Sequence, residues 1–130
     1  MAKILTFGLF PEEMEKVKKA AASLKIRVEN VPVVLYKQTI GKLSQGKMDS
    51  LAEAVQVDKE EEIFAGEPPK EQMLVFCDME STQLDKLLAA LRRMMVQVDY
   101  KAVMTPTNKK WNVLRLYAEL EREKRSMEFI

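Results

Sequence analysis

The sequence contains no histidine, one cysteine, one tryptophan and four glycines. Without histidine the commonest general base and the commonest metal ligand are both missing. No metal site is signalled, and no cofactor is expected. The lone Cys77 excludes an internal disulfide, which fits a reducing cytoplasm. Glycines stand at 8, 41, 46 and 66, none in a G-x-G or G-x-x-x-x-G-K-[ST] pattern, so there is no Gly-rich phosphate loop. No run of 18 apolar residues exists, so neither a transmembrane helix nor a membrane partner is expected. The start, Met1-Ala2-Lys3-Ile4-Leu5-Thr6-Phe7-Gly8, lacks a basic segment leading into an apolar one, so no signal peptide is expected. Charge of one sign is lacking too. Residues 1–70 hold 11 basic and 11 acidic side chains and residues 71–130 hold 10 and 9, for a net charge of +1. Neither half is a basic block. That argues against a nucleic-acid partner held by a broad electrostatic footprint, because counterion release needs clustered Lys and Arg.

What is present is apolar and repetitive. Hydrophobic residues make up 47% of 130 residues, enough core for one domain over 1–130. Ile4-Leu5-Thr6-Phe7 matches Met73-Leu74-Val75-Phe76 at an offset of 69, and after one inserted residue the offset becomes 70. Met14, Val17, Ala20, Ala21 and Leu24 then face Leu84, Leu87, Ala90, Leu91 and Met94. This pattern predicts an internal duplication: a first repeat over about 3–57, a connector over about 58–71 and a second repeat over about 72–126. The connector holds Asp58-Lys59-Glu60-Glu61-Glu62 and Pro68-Pro69.

The runs 3–8 and 72–77 are nearly continuous in apolar residues, as strands buried on both flanks require. Pro11 opens a helix over about 11–24, with Glu12 and Glu13 in its first turn. Ser81 and Thr82 are candidate caps for a second helix, with Leu84, Leu87, Leu88 and Leu91 on its apolar stripe. Residues 96–104 alternate apolar with polar, and their counterpart is about 30–36, where Pro32 argues for an edge strand. A helix over 108–126 is expected to be capped by Thr107 or Asn108, to turn Trp111, Leu114 and Ala118 inward, and to carry Val113, Tyr117 and Leu120 beside them. Its counterpart in the first repeat is predicted over about 47–57. The order β-α-β-α, twice, predicts an α/β (α+β) fold: a two-layer ferredoxin-like sandwich, an antiparallel sheet of two split βαβ units. The alternative is a three-layer open α/β sheet with strand order 2-1-3-4.

The richest segment for function is Lys101-Ala102-Val103-Met104-Thr105-Pro106-Thr107-Asn108-Lys109-Lys110-Trp111. A strand leads through a proline turn to a helix start, where free amides and partial positive charge attract anions. Lys101, Thr105, Thr107, Asn108, Lys109, Lys110 and Trp111 are therefore candidate ligand-binding residues for a phosphate or carboxylate, or else the cap and core of the helix. Residues 73–123 resemble the bacterial family catalogued as domain of unknown function thirty-seven eighty-three. The resemblance rests on Leu74-Val75-Phe76, on Leu84, Leu87 and Leu88, and above all on Lys101-Ala102-Val103 through Thr105-Pro106-Thr107-Asn108 to Trp111. It implies no known activity or cofactor. Cys77-Asp78 closes the second central run, and a nucleophilic thiol there would need a basic partner that the chain lacks. The clustered acids Glu12, Glu13 and Glu15 are spaced as on a solvated helix face, and nine methionines read as core filler. Three functional readings follow. The first is a non-catalytic cytoplasmic interaction module that forms a homodimer, with Phe129 and Ile130 expected to dock. The second is a sensor of a small anionic ligand at Thr107–Lys110. The third is an enzyme using Cys77, Asp78 and Lys101.

Overall fold

Lys3-Ile4-Leu5-Thr6-Phe7 and Met73-Leu74-Val75-Phe76-Cys77 bury all ten of their side chains, and both are strands. In the computed structural model, residues 2–46, 48, 50, 51 and 63–128 are described. The chain runs β1 (Lys3–Phe7), α1 (Pro11–Ser23), β2 (Arg27–Asn30), α2 (Ile40–Gln45), β3 (Met73–Cys77), α3 (Ser81–Arg93), β4 (Tyr100–Val103) and α4 (Val113–Glu128). Single 3-10 turns occupy Val33–Leu35 and Asn108–Lys110. Two compact units result, each assembled from both halves of the sequence: Met1–Val31 with Lys70–Met104, and Pro32–Pro69 with Thr105–Ile130.

The first unit holds the sheet, in the order β2-β1-β3-β4. The central pair is antiparallel, with Leu5 opposite Val75 and Ile4 opposite Phe76. Both outer pairs are parallel. This is the order of the open α/β alternative. The wholly antiparallel ferredoxin-like sheet of split units is not formed, because each helix carries the chain to the neighbouring strand, and such a crossover leaves the two strands parallel. Ile4, Leu74 and Phe76 pack with Val17, Ala20 and Ala21 of α1 and with Leu87, Ala90 and Leu91 of α3, so both helices cover one face of the sheet. Leu5, Phe7, Met73, Val75 and Cys77 point the other way and are buried too. Burial on both sides is why the central runs carry so little alternation.

Polar groups inside this unit tie its parts together. Glu13 is buried, not solvated: its carboxylate accepts from the Gln97 amide at 2.8 Å and from Lys16 Nζ at 3.3 Å. The Gln72 side-chain oxygen accepts from the Phe10 amide at 2.8 Å, serving the start of α1, where Phe10 has no capping side chain. Lys3 is buried in an ion pair with Glu29 at 3.4 Å, and Arg27 reaches the same carboxylate at 2.8 Å. Neither Ser81 nor Thr82 caps α3; its N-cap is Glu80, without a side-chain hydrogen bond.

Backbone features recur 70 residues apart. Gly8 and Asp78 both have positive φ, +67° and +56°, and so do Lys25 and Met95, at 58° and 57°. The Ile26 amide donates to Ala21 O and the Val96 amide to Leu91 O, each at 3.0 Å. The outer strands depart from their alternation: β2 is Arg27–Asn30, meeting the strand expected over about 30–36 only at Asn30, while Val33–Leu35 form a 3-10 turn after Pro32, and β4 starts only at Tyr100.

In the second unit α4 begins at Val113, not near 108. Its buried residues are Val113, Leu116 and Tyr117, whereas Trp111 and Leu114 are half-buried and Ala118 is exposed, so the inward face is rotated from the expected one. Tyr36 is fully enclosed, its ring 6.2 Å from Phe64 and 6.4 Å from Tyr117. The first-half counterpart of α4 starts at Ile40, where Thr39 Oγ1 accepts from the Lys42 amide at 3.3 Å; Asn112 Oδ1 accepts from the Arg115 amide at 2.8 Å in the same way. Thr39 and Asn112 form an antiparallel bridge, and the Ile40 amide donates to Trp111 O at 2.9 Å. Gly41 lies so close to this turn that a Cβ there would stand 3.0 Å from Lys109 O. Most of the helix expected over 47–57, the start of the connector, and Phe129-Ile130 lie outside the described residues.

Candidate functional site

The motif from Lys101 to Trp111 is divided by the fold. Lys101 sits in β4 opposite Leu74, exposed, whereas Thr105 to Trp111 belong to the second unit. Thr105 and Asn108 clasp each other. The Thr105 amide donates to Asn108 Oδ1 at 2.8 Å, and the Asn108 amide donates to Thr105 Oγ1 at 3.0 Å. The Lys109 amide then donates to Thr105 O at 3.0 Å and the Trp111 amide to Asn108 O at 3.0 Å. This reciprocal arrangement has the logic of a capping box. Its product is one 3-10 turn, and Asn112, not Thr107 or Asn108, caps the α-helix that follows. Four of the amides that an anion at the motif would need are thus engaged within the turn. Thr107, Lys109 and Lys110 are exposed. Trp111 is half-buried, with the Arg115 guanidinium 4.8 Å from its ring centroid, a cation–π contact.

The Cys77, Asp78 and Lys101 trio is not assembled. Cys77 is buried, and its thiol is pushed up to about 12, first by desolvation and next by the Asp78 carboxylate, with Lys3 opposing. A protonated, enclosed thiol is not a nucleophile at neutral pH. Lys101 pairs with Leu74 and so points to the α1/α3 face, whereas Cys77, three residues along β3, points to the opposite one. Asp78 is exposed just past the strand. Among the described residues, no group of three or more Cys, Asp or Glu is placed to hold a metal ion. Among them too, no helix is long and apolar enough to cross a membrane.

Counting charge by halves misses one feature. Residues 30–48 and 100–118 contain no Asp or Glu at all, yet hold seven of the 21 basic residues: Lys37, Lys42, Lys47, Lys101, Lys109, Lys110 and Arg115. The two acid-free windows are 70 residues apart. The bridge between Thr39 and Asn112 joins them in the second unit. A sliding count of acidic residues would have revealed them, whereas totals over 1–70 and 71–130 average them away.

Neither the comparison with curated proteins nor that with solved structures gives a significant match. Residues 72–127 match the family described as Domain of unknown function (DUF3783), the family that residues 73–123 resemble by sequence, and the match spans β3, α3, β4 and nearly all of α4.

Proposed function

We propose that the protein is a non-catalytic interaction module that pairs with a second copy of itself along a sheet edge. The supporting observation is β4, a four-residue outer strand on which Val103 leaves 45% of its surface exposed. Edge strands offer backbone groups to another chain, and a twofold pairing would extend the sheet. The buried, protonated Cys77 supports the non-catalytic part of the reading. The 70-residue spacing of the positive-φ positions supports the duplication. A reducing, cytoplasmic setting accords with the single cysteine. A second reading, a sensor of a small phosphorylated ligand at Thr107–Lys110, draws on the exposed Lys109 and Lys110.

The register supplies a clean test. The Tyr100 and Met104 amides donate to Gln72 O and Phe76 O, so the Lys101 amide lies on the outer side of β4. Lys101→Pro removes that donor without touching the β3 ladder. Sedimentation velocity on the full chain is expected to show a dimer, and Lys101→Pro to weaken it at least about tenfold with an unchanged circular dichroism spectrum. A strict monomer at high concentration, or a dimer indifferent to Lys101→Pro, overturns the reading.

A further inference from the structure

The two acid-free windows meet in one place. Lys37, Lys42, Lys109, Lys110 and Arg115 all lie within three residues of the bridged pair Thr39 and Asn112, and all five are exposed. Among the described residues, Lys42, Lys109, Lys110 and Arg115 enter no ion pair. No Asp or Glu stands beside these cations in either window, and like charges gathered on one surface repel one another. The cations also come in matched positions about the bridge: Lys37 with Lys110, and Lys42 with Arg115, each 73 residues apart, as are Thr39 and Asn112 themselves. A repeated cation suits a repeated anion. A single phosphate would find little cradle here, because the amides of Thr105, Asn108, Lys109 and Trp111 are engaged within the turn. Half-buried Trp111 sits among these cations with Arg115 against its ring. Cations that follow a phosphodiester strand, beside an aromatic ring on which a base stacks, are the two components of single-stranded nucleic-acid binding.

We propose that the surface around Thr39 and Asn112 binds single-stranded nucleic acid, its exposed cations meeting the phosphates and Trp111 meeting a base. This goes beyond the interaction module above and does not need the sheet edge; a monomer would bind equally. The near-zero net charge of the chain is no obstacle, because the 20 acidic residues all lie outside these windows.

The test uses the full chain and labelled oligo-uridine and oligo-thymidine of about 12 nucleotides, read by fluorescence anisotropy. Five phosphate contacts predict that log K falls against log salt with a slope of about −3.5. Trp111 is the only tryptophan, so its fluorescence should be quenched on binding. Lys109→Glu with Lys110→Glu should lower affinity at least about tenfold and flatten the slope by about 1.4. Lys18→Glu with Lys86→Glu, exposed on the helices of the other unit, makes the same change in net charge and should leave affinity within about twofold. All four lysines are exposed, so both double variants should fold, which circular dichroism checks. Three outcomes overturn the proposal: no binding at low salt, equal loss in both double variants, or no change in Trp111 fluorescence. Mononucleotide binding as tight as the oligomer overturns it in favour of the small-anion sensor, and polyglutamate binding as tight does so in favour of an acidic peptide.

Discussion

The two β–α–β halves of the sheet unit share the order of their elements and the places of their positive-φ residues but differ in side chains and in the link to the outer strand, three residues in one and six in the other, and the differences separate what the fold needs from what it merely contains. Both place a residue at positive φ after the first strand, Gly8 in one half and Asp78 in the other. Both turn out of the helix through a second such residue, Lys25 or Met95. The left-handed conformation is therefore imposed by the path of the chain and not by glycine. Where the first half buries Lys3 against Glu29, the second has Met73 and Ala102 at the matching register positions. An ion pair whose place the other half fills with apolar residues is expected to add little net stability, as buried ion pairs do. The helices differ as well: Val17 and Ala21 of α1 stand where α3 has Leu87 and Leu91, so the half that matches the family supplies the larger core side chains.

Substitutions that write one half into the other sharpen this comparison. The largest effect is expected at Cys77, which the 70-residue spacing of the backbone sets at the place of Phe7, one residue on from the Phe76 that the sequence match pairs with it. Its folded pKa is raised from 9.0 to about 12, so below pH 9 the thiol is protonated in both states and its contribution is fully present. Above pH 9 the unfolded chain loses the proton and the folded chain keeps it. Stability should fall by about 1.4 kcal/mol per pH unit up to about pH 12, roughly 4 kcal/mol in all. Urea titrations across this range, compared with Cys77→Ala, isolate the effect, since the variant should lack that part of the decline. Next, Leu87→Ala should cost about 2–5 kcal/mol, and Val17→Ala at the equivalent site roughly half as much. Equal costs in chemical denaturation would break the claim that α3 carries more of the core.

The ion pair comes third. Lys3→Met leaves the largely enclosed Glu29 with only the exposed Arg27 as its ion-pair partner, at a cost of about 3 kcal/mol. Adding Glu29→Ala completes the Met73/Ala102 environment and should restore most of the loss, giving a clear coupling term in a double-mutant cycle. Additive costs would show that the halves are not interchangeable at this register. The smallest effect is at the positive-φ turn. Gly8→Ala should lose about 1–2 kcal/mol, while Asp78→Gly should be near neutral or gain up to about 1 kcal/mol, read by thermal denaturation.

Much of this was legible in the sequence, and the failures have physical causes. The central strands, α1 and α3 follow from continuous apolar runs and from apolar spacing near 3.6 residues. Strand direction was not legible, because an apolar run reads the same in parallel and antiparallel pairing. Glu13 was misread because a helix position near the boundary is judged by its own charge, whereas the Gln97 amide 84 residues away decides its burial. The start of α4 was misplaced because Thr105 and Asn108 form a capping arrangement on a turn that does not continue, and Asn112 repeats the signal four residues later. At the candidate site the Thr105–Trp111 turn was legible as a motif. Its pairing with Thr39–Lys42 was not, since no residue pattern marks the bridge and Gly41 alone records the close approach.

The arrangement on which the comparison rests is two parallel pairs joined back to back through antiparallel β1 and β3. Cross-strand Hα–Hα nuclear Overhauser effects distinguish the two kinds of pairing, because only antiparallel neighbours bring alternate Hα atoms into close contact. In a labelled sample of the full chain, such effects are predicted between residues 3–7 and 73–77 in the register that sets Leu5 opposite Val75, with none between β1 and β2 or between β3 and β4. Strong Hα–Hα effects between β1 and β2, or their absence between β1 and β3, would contradict the account.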